Sequence, residues 1–250
     1  MKNLAGIILL MSFQVCLAFD SDLISERPGQ ALSPNCLSKG NVQVQSGIDY
    51  NSYTYTGFSS FVPSEIALYP MISSLSNTVV RFGMGEKFEI NTGFNYQINE
   101  GILKSPIVGF KASIFNHEKA QISLQYNTVI HQFNKEPFNS SLKLISAHEL
   151  TEKSGFTWNA GIDYTPIDDE LNGNYVMSFS INPTNKIGLV FENYGSYTNR
   201  FNTYFDVGIG YLVTPLLQFD TYFGGGINNK DEEVFISGGL TYRFDFKKDE

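Results

Sequence analysis

Four stretches of this chain alternate apolar and polar residues with period two, and that pattern constrains the fold more than any other feature. In 88–97, Phe88, Ile90, Thr92, Phe94 and Tyr96 share one face, while Glu89, Asn91, Gly93, Asn95 and Gln97 share the other. Side chains along a strand point alternately to opposite faces, whereas a helix repeats every 3.6 residues, so only a strand sorts these residues cleanly. The same sorting recurs in 120–130, where Ala120, Ile122, Leu124 and Tyr126 oppose Gln121, Ser123, Gln125 and Asn127. It recurs in 156–164, where Phe156, Trp158, Ala160 and Ile162 oppose Thr157, Asn159 and Asp163, and in 174–181, where Tyr175, Met177, Phe179 and Ile181 oppose Asn174, Ser178 and Ser180.

Continued along the chain, the pattern predicts twelve strands, near 41–50, 77–84, 88–98, 105–115, 120–131, 141–151, 154–165, 174–182, 186–194, 203–212, 216–224 and 234–244. Ten residues at ~3.3 Å each, tilted by about 40°, climb roughly 25 Å, the height of the apolar band of an outer-membrane barrel. The connections alternate in length, as such barrels require. Short ones at Gly85–Lys87, Asn116–Lys119, Glu152–Lys153, Pro183–Asn185 and Val213–Pro215 are expected on the periplasmic side. Longer ones at 51–76, 99–104, 132–140, 166–173, 195–202 and 225–233 are expected outside. A soluble β-sandwich also alternates. The polar face here is rich in Asn, Gln, Ser, Thr and Gly with few charges, and the apolar face is crowded with rings, which favours a single closed antiparallel transmembrane barrel around a wet lumen. With 17 basic against 25 acidic residues and a net charge of -8, nucleic-acid binding is disfavoured.

Residues 1–18, MKNLAGIILLMSFQVCLA, carry one Lys, an apolar run and small residues before polar FDSD, the form of a secretory signal cut after Ala18. The run is too short to span a bilayer as a helix, which takes roughly 20 residues. Residues 13–15 before Cys16 lack the pattern of a lipidated cysteine. Residues 19–40 contain Pro28, Gly29, Pro34 and Gly40 without alternation and form an N-terminal segment, a candidate lumen plug in which Arg27 is singled out. The barrel is expected over 41–246, with a tail at 247–250.

Among inward-parity charges, Arg81, Glu89, Lys111, Glu149 and Arg243 fall in periplasmic halves of strands, Asp49, Asp163, Glu192 and Asp206 in outer halves with Lys143, and Asp220 near mid-height. Such charges brace a barrel wall or select solutes in a narrow pore. The selectivity set is Arg81, Glu89, Lys111, Asp163, Glu192, Asp206, Asp220 and Arg243. A three-residue connection at Gly85–Lys87 sets Arg81 opposite Asn91 and diagonal to Glu89, so two bases around one acid predict a local positive surplus, a permeation gate with Lys111. Gly208 and Gly210, on the inward parity, are expected to bend the wall or leave room in the lumen.

His117 reads as a solvated turn residue, since no metal-ligand spacing accompanies it. Ser146 and His148 share a strand face, but the Asn159 that would complete a hydrolase triad has the opposite parity, so no enzyme is expected. No cofactor pattern is present.

The last strand, VFISGGLTYRF over Val234–Phe244, resembles the carboxy-terminal signal by which outer-membrane barrels reach the assembly machinery. Glu26-Arg27-Pro28, NVQVQSG at 41–47, TVVRFGMGEKFEI at 78–90, Phe191-Glu192 and 207–244 resemble the family of outer-membrane transporters assigned to the meta-pathway of phenol degradation. Where many of its members have Asp before Arg-Pro, this chain has Glu26. The resemblance covers about 26–244 and implies a bacterial outer-membrane channel whose partners are lipid, the assembly machinery and small organic solutes. It brings no catalytic residues. The alternative is a non-conducting structural or adhesive barrel acting through its outer loops.

Overall fold

The computed structural model describes residues 23, 25–54, 75–98, 101–129, 138–198, 201–226 and 232–246. The secretory signal, the tail at 247–250 and most of the expected loop 51–76 lie outside the described residues.

Twelve strands form one closed antiparallel barrel: β1 (Asn41–Thr54), β2 (Leu75–Gly83), β3 (Phe88–Gln97), β4 (Ile102–His117), β5 (Ala120–Val129), β6 (Asn139–Thr151), β7 (Ser154–Thr165), β8 (Glu170–Thr184), β9 (Ile187–Tyr197), β10 (Phe201–Thr214), β11 (Leu217–Gly226) and β12 (Glu232–Asp245). Each pairs with its sequence neighbours, and β1 pairs with β12 from Asn41↔Asp245 to Thr54↔Glu232 to close the ring. Closure leaves no strand edge to be covered, the one arrangement by which a sheet meets hydrocarbon with every backbone group paired. The sandwich alternative is thereby removed.

The alternation read from the sequence is the alternation of inside and outside. Phe88, Ile90, Phe94 and Tyr96 are exposed while Glu89 and Asn91 between them are buried; Leu124 and Tyr126 are exposed beside buried Ser123 and Gln125. Trp158, Phe179 and Leu240 stand on the outward parity, and Asn159 faces in. Among the described residues, six large apolar side chains are buried against nineteen polar or charged ones, so the molecule is inside-out relative to a water-soluble domain.

Strands run further than predicted at the end of the barrel opposite the short turns. The expected loops at 99–104, 166–173 and 195–202 shrink to 98–101, 166–169 and 198–200, because Asn172 and Gly173 pair with β7 and Gly195 with β8 and β10. Gly and Asn there mark no break, since the strands on both sides supply partners for their backbones. The predicted strand over 120–131 is described as far as Val129; residue 130 and His131 lie outside the described residues.

Candidate functional site: a segment held across the lumen

Residues 25–40 form neither helix nor strand, and most of their partners are inward-facing side chains of the barrel, with backbone partners for Cys36 and for Gly40 at the segment's end. Three groups of contacts fix them.

The first is an ionic cluster on β2, β3 and β4. Register sets Arg81 opposite Asn91 and Glu89 opposite Lys111, with all three charged side chains fully buried. Arg81 grips Glu89 with two hydrogen bonds, Nε to Oε1 at 2.7 Å and Nη2 to Oε2 at 2.8 Å. Lys111 lies 3.7 Å from the same carboxylate and forms an ion pair with Glu26 of the N-terminal segment, which also lies 3.7 Å from Arg81. The expected positive surplus is therefore corrected: Glu26 makes the cluster two bases and two acids. Burial alone would raise the Glu26 carboxyl, but the charges of Arg81 and Lys111 outweigh it and hold the group below the ordinary carboxylate value. Backbone groups of the segment complete the cluster. Lys111 donates to Ser33 O (2.9 Å), Arg81 donates to Asn35 O (3.0 Å), and Leu37 N–H donates to Glu89 (2.9 Å). Cys36 donates to Lys111 O at 3.9 Å, and burial followed by the charge of Glu89 pushes its thiol up, so it stays protonated.

The second group surrounds Arg27. Its Nε donates to Asp220 on β11 (3.0 Å), Nη2 to Ser237 on β12 (3.0 Å) and Nη1 to Asn77 on β2 (3.2 Å). The guanidinium carbon sits 5.4 Å from the centre of the Tyr222 ring, a cation–π contact. Gln218 donates to Arg27 O at 2.8 Å. The slot exists because Gly47 and Gly239 face each other across the β1–β12 junction, and a side chain on either would occupy the space of the guanidinium. Asp49 accepts from Asn77 (2.8 Å) and Tyr222 (3.2 Å) at the edge of this slot. Gly208 makes room in the lumen, since a Cβ there would lie 2.8 Å from Pro28.

The third group holds the stretch that follows. Glu192 on β9 accepts from the backbone N–H groups of Gln30 and, at 3.2 Å, Ala31. Gly29, at φ 102°, passes so close that a side chain would overlap this carboxylate. Asn159 on β7 reads the backbone of Leu32 like a strand partner, accepting from its N–H (2.7 Å) and donating to its C=O (3.2 Å). Ser25 Oγ meets Thr241 Oγ1 on β12 at 2.7 Å. Directly opposite Glu192, Asp206 on β10 is buried with neither carboxylate oxygen receiving a donor.

Of the eight wall residues expected to select, the structure brings Arg81, Glu89 and Lys111 together, sets Asp220 on Arg27, and pairs Glu192 with Asp206. Asp163 accepts from Asn174 (2.6 Å), and Arg243 lies 3.2 Å from Asp245 near the end of β12. Glu149 is exposed. Sequence reasoning missed Glu26 as a charge partner, although its place in Glu26-Arg27-Pro28 pointed at it, and missed the Gly47–Gly239 slot, which only the register reveals. Ser146 Oγ and His148 lie 3.0 Å apart on the outward face, while Asn159 is engaged with Leu32 inside. No metal-binding group of His, Cys, Asp or Glu occurs among the described residues.

The family described as "Putative MetA-pathway of phenol degradation" matches residues 25–244, from the segment in the lumen to the last strand. The chain belongs to this family. Among solved structures, the family member aligns with the NanC porin at a TM-score of 0.59 and 9% identity, over 80% of this chain and 98% of that one. The KdgM porin gives 0.58 and 8%, over 79% and 99%. A COG4313 outer-membrane channel from Pseudomonas putida F1 gives 0.56 and 10%, over 88% and 100%. At such identities the likeness is one of fold, that of outer-membrane porins and channels. Curated proteins give no significant match.

Proposed function

We propose that this chain, exported by a signal at residues 1–18 and assembled through its last strand, is a bacterial outer-membrane channel for small organic solutes, with residues 25–40 narrowing its lumen as a plug. The observation that carries the reading is how those residues are held. They touch β2, β3, β4, β7, β9, β11 and β12 through side-chain bonds and have no strand pairing of their own. A filler of that kind can shift without unpairing any strand, so the wall stays intact while the path changes. With Arg81 and Lys111 offset by Glu26 and Glu89, the ionic cluster carries no net charge, and Asp49 and Asp163 leave the lumen mildly acidic. Small neutral or zwitterionic solutes are favoured over anions.

Planar-bilayer conductance of the chain beginning at Phe19 tests this. Wild type is expected to give small conductance, and Gly47→Val, which takes the space of the Arg27 guanidinium, a larger one. Neutralising Arg81 and Lys111 together should shift the reversal potential in a salt gradient toward cations. A folded barrel that conducts in none of these forms overturns the channel.

A further inference from the structure

Beside the ionic cluster, the segment leaves a gap against the wall of β2–β6. A cavity of about 140 Å³ opens there, lined by Glu26 and Leu32 of the segment and by Asn91, Gln125, Asn127 and Lys143 of the wall. Its size is close to that of a cavity known to hold one benzene ring, about 150 Å³. Its polar groups are poised unequally. Gln125 and Lys143 stand directly opposite each other across β5 and β6, both on the inward parity. Gln125 donates its amide N–H to Asn127 at 3.2 Å, which leaves its Oε1 buried with no donor; the residue is 6% exposed. Lys143 is half-buried and has no carboxylate within ion-pair distance among the described residues, whereas Arg27, Arg81, Lys111 and Arg243 each have one.

A buried acceptor without a donor and an ammonium without an anion, side by side, specify a ligand by complement. It must bring a carboxylate for Lys143 and an N–H donor for Gln125, within the length of one cross-strand pair, about 5 Å. It must also fit a space of a single ring. We infer that this cavity is a binding site for a small zwitterionic α-amino acid, with the carboxylate on Lys143 and the ammonium on Gln125 Oε1, near the carboxylate of Glu26. A zwitterion also meets no net repulsion from the acidic lumen, which an isolated carboxylate would. The inference deepens the channel reading and rests on it only for the route by which the solute arrives.

The test is equilibrium dialysis of radiolabelled L-alanine against the folded chain in detergent, competed with unlabelled analogues. Wild type is expected to bind L-alanine saturably. Alaninamide, which lacks the carboxylate, and lactate, which lacks the ammonium, should compete at least tenfold more weakly. L-tryptophan, too large for the cavity, should not compete. Lys143→Gln should lower alanine binding to the level of alaninamide. Equal competition by alanine, alaninamide and lactate overturns the inference in the wild-type chain, whatever the variant does, as does absence of saturable binding. Conductance read on the same preparations keeps the two readings apart. A conducting barrel that binds no alanine sinks this site alone, and a binding barrel that never conducts sinks the channel alone.

Discussion

Two of the three contact groups that hold the N-terminal segment work by opposite electrostatic means. On β2–β4 it enters with a charge, and Glu26 completes a cluster in which Arg81, Lys111 and Glu89 each face an opposite charge. On β9–β10 it enters with backbone N–H groups, and the wall offers Glu192 with a second carboxylate, Asp206, directly behind it and no cation within ion-pair distance of either among the described residues. A buried charge left by its partner is costly, whereas a carboxylate beside another carboxylate gains when one of them is removed. The two anchors should therefore answer the same kind of mutation with opposite signs.

The largest effect is expected at Glu89. Glu89→Gln strips the bidentate partner from a fully buried Arg81 and weakens Lys111, at a cost of about 3–5 kcal/mol in urea titrations of folding into lipid vesicles. A cost near that of an ordinary surface substitution would mean that water reaches the cluster and that the contrast between anchors is false.

Acid gives the next effect. The folded Glu26 carboxyl is held below its ordinary value of 4.5, so its contribution to stability is complete above that pH and is lost as pH falls through the lowered value. Wild-type stability should decline more steeply below about pH 4.5 than that of Glu26→Gln, measured by the same titrations from pH 6 downward. Parallel curves would remove Glu26 from the cluster's energetics.

The smallest effect has the opposite sign. Asp206→Asn gives Glu192 a fixed N–H donor in place of a second buried carboxyl group and should raise stability by about 1 kcal/mol. A loss of comparable size would show that Asp206 carries a partner and that the two anchors are alike.

The wall was legible in the sequence and the segment's docking was not, for a physical reason. Period two is written into adjacent residues, so Phe88 to Gln97 declares its two faces without reference to anything else. Arg81 and Glu89 could be placed together because a hairpin joins them. Lys111 and Glu26 are 85 residues apart, and Asp220 and Arg27 are 193 apart; no local rule links them. Glycine was ambiguous in the same way. Gly173 and Gly195 resemble loop residues but continue strands, while Gly47 and Gly239 look like ordinary strand positions and are the walls of the Arg27 slot.

That slot lies where the first and last strands meet, and it bears on the order of assembly. Its two glycines belong to β1 and β12, and two of the three oxygens that receive Arg27 sit on β11 and β12, the strands made after the other ten. Until the ends of the sheet have zipped together, Arg27 has nowhere to go, although it is made before any of the twelve strands. Seating of Arg27 is thus a readout of completed closure, and a barrel stalled with its seam open would keep its N-terminal segment accessible to protease.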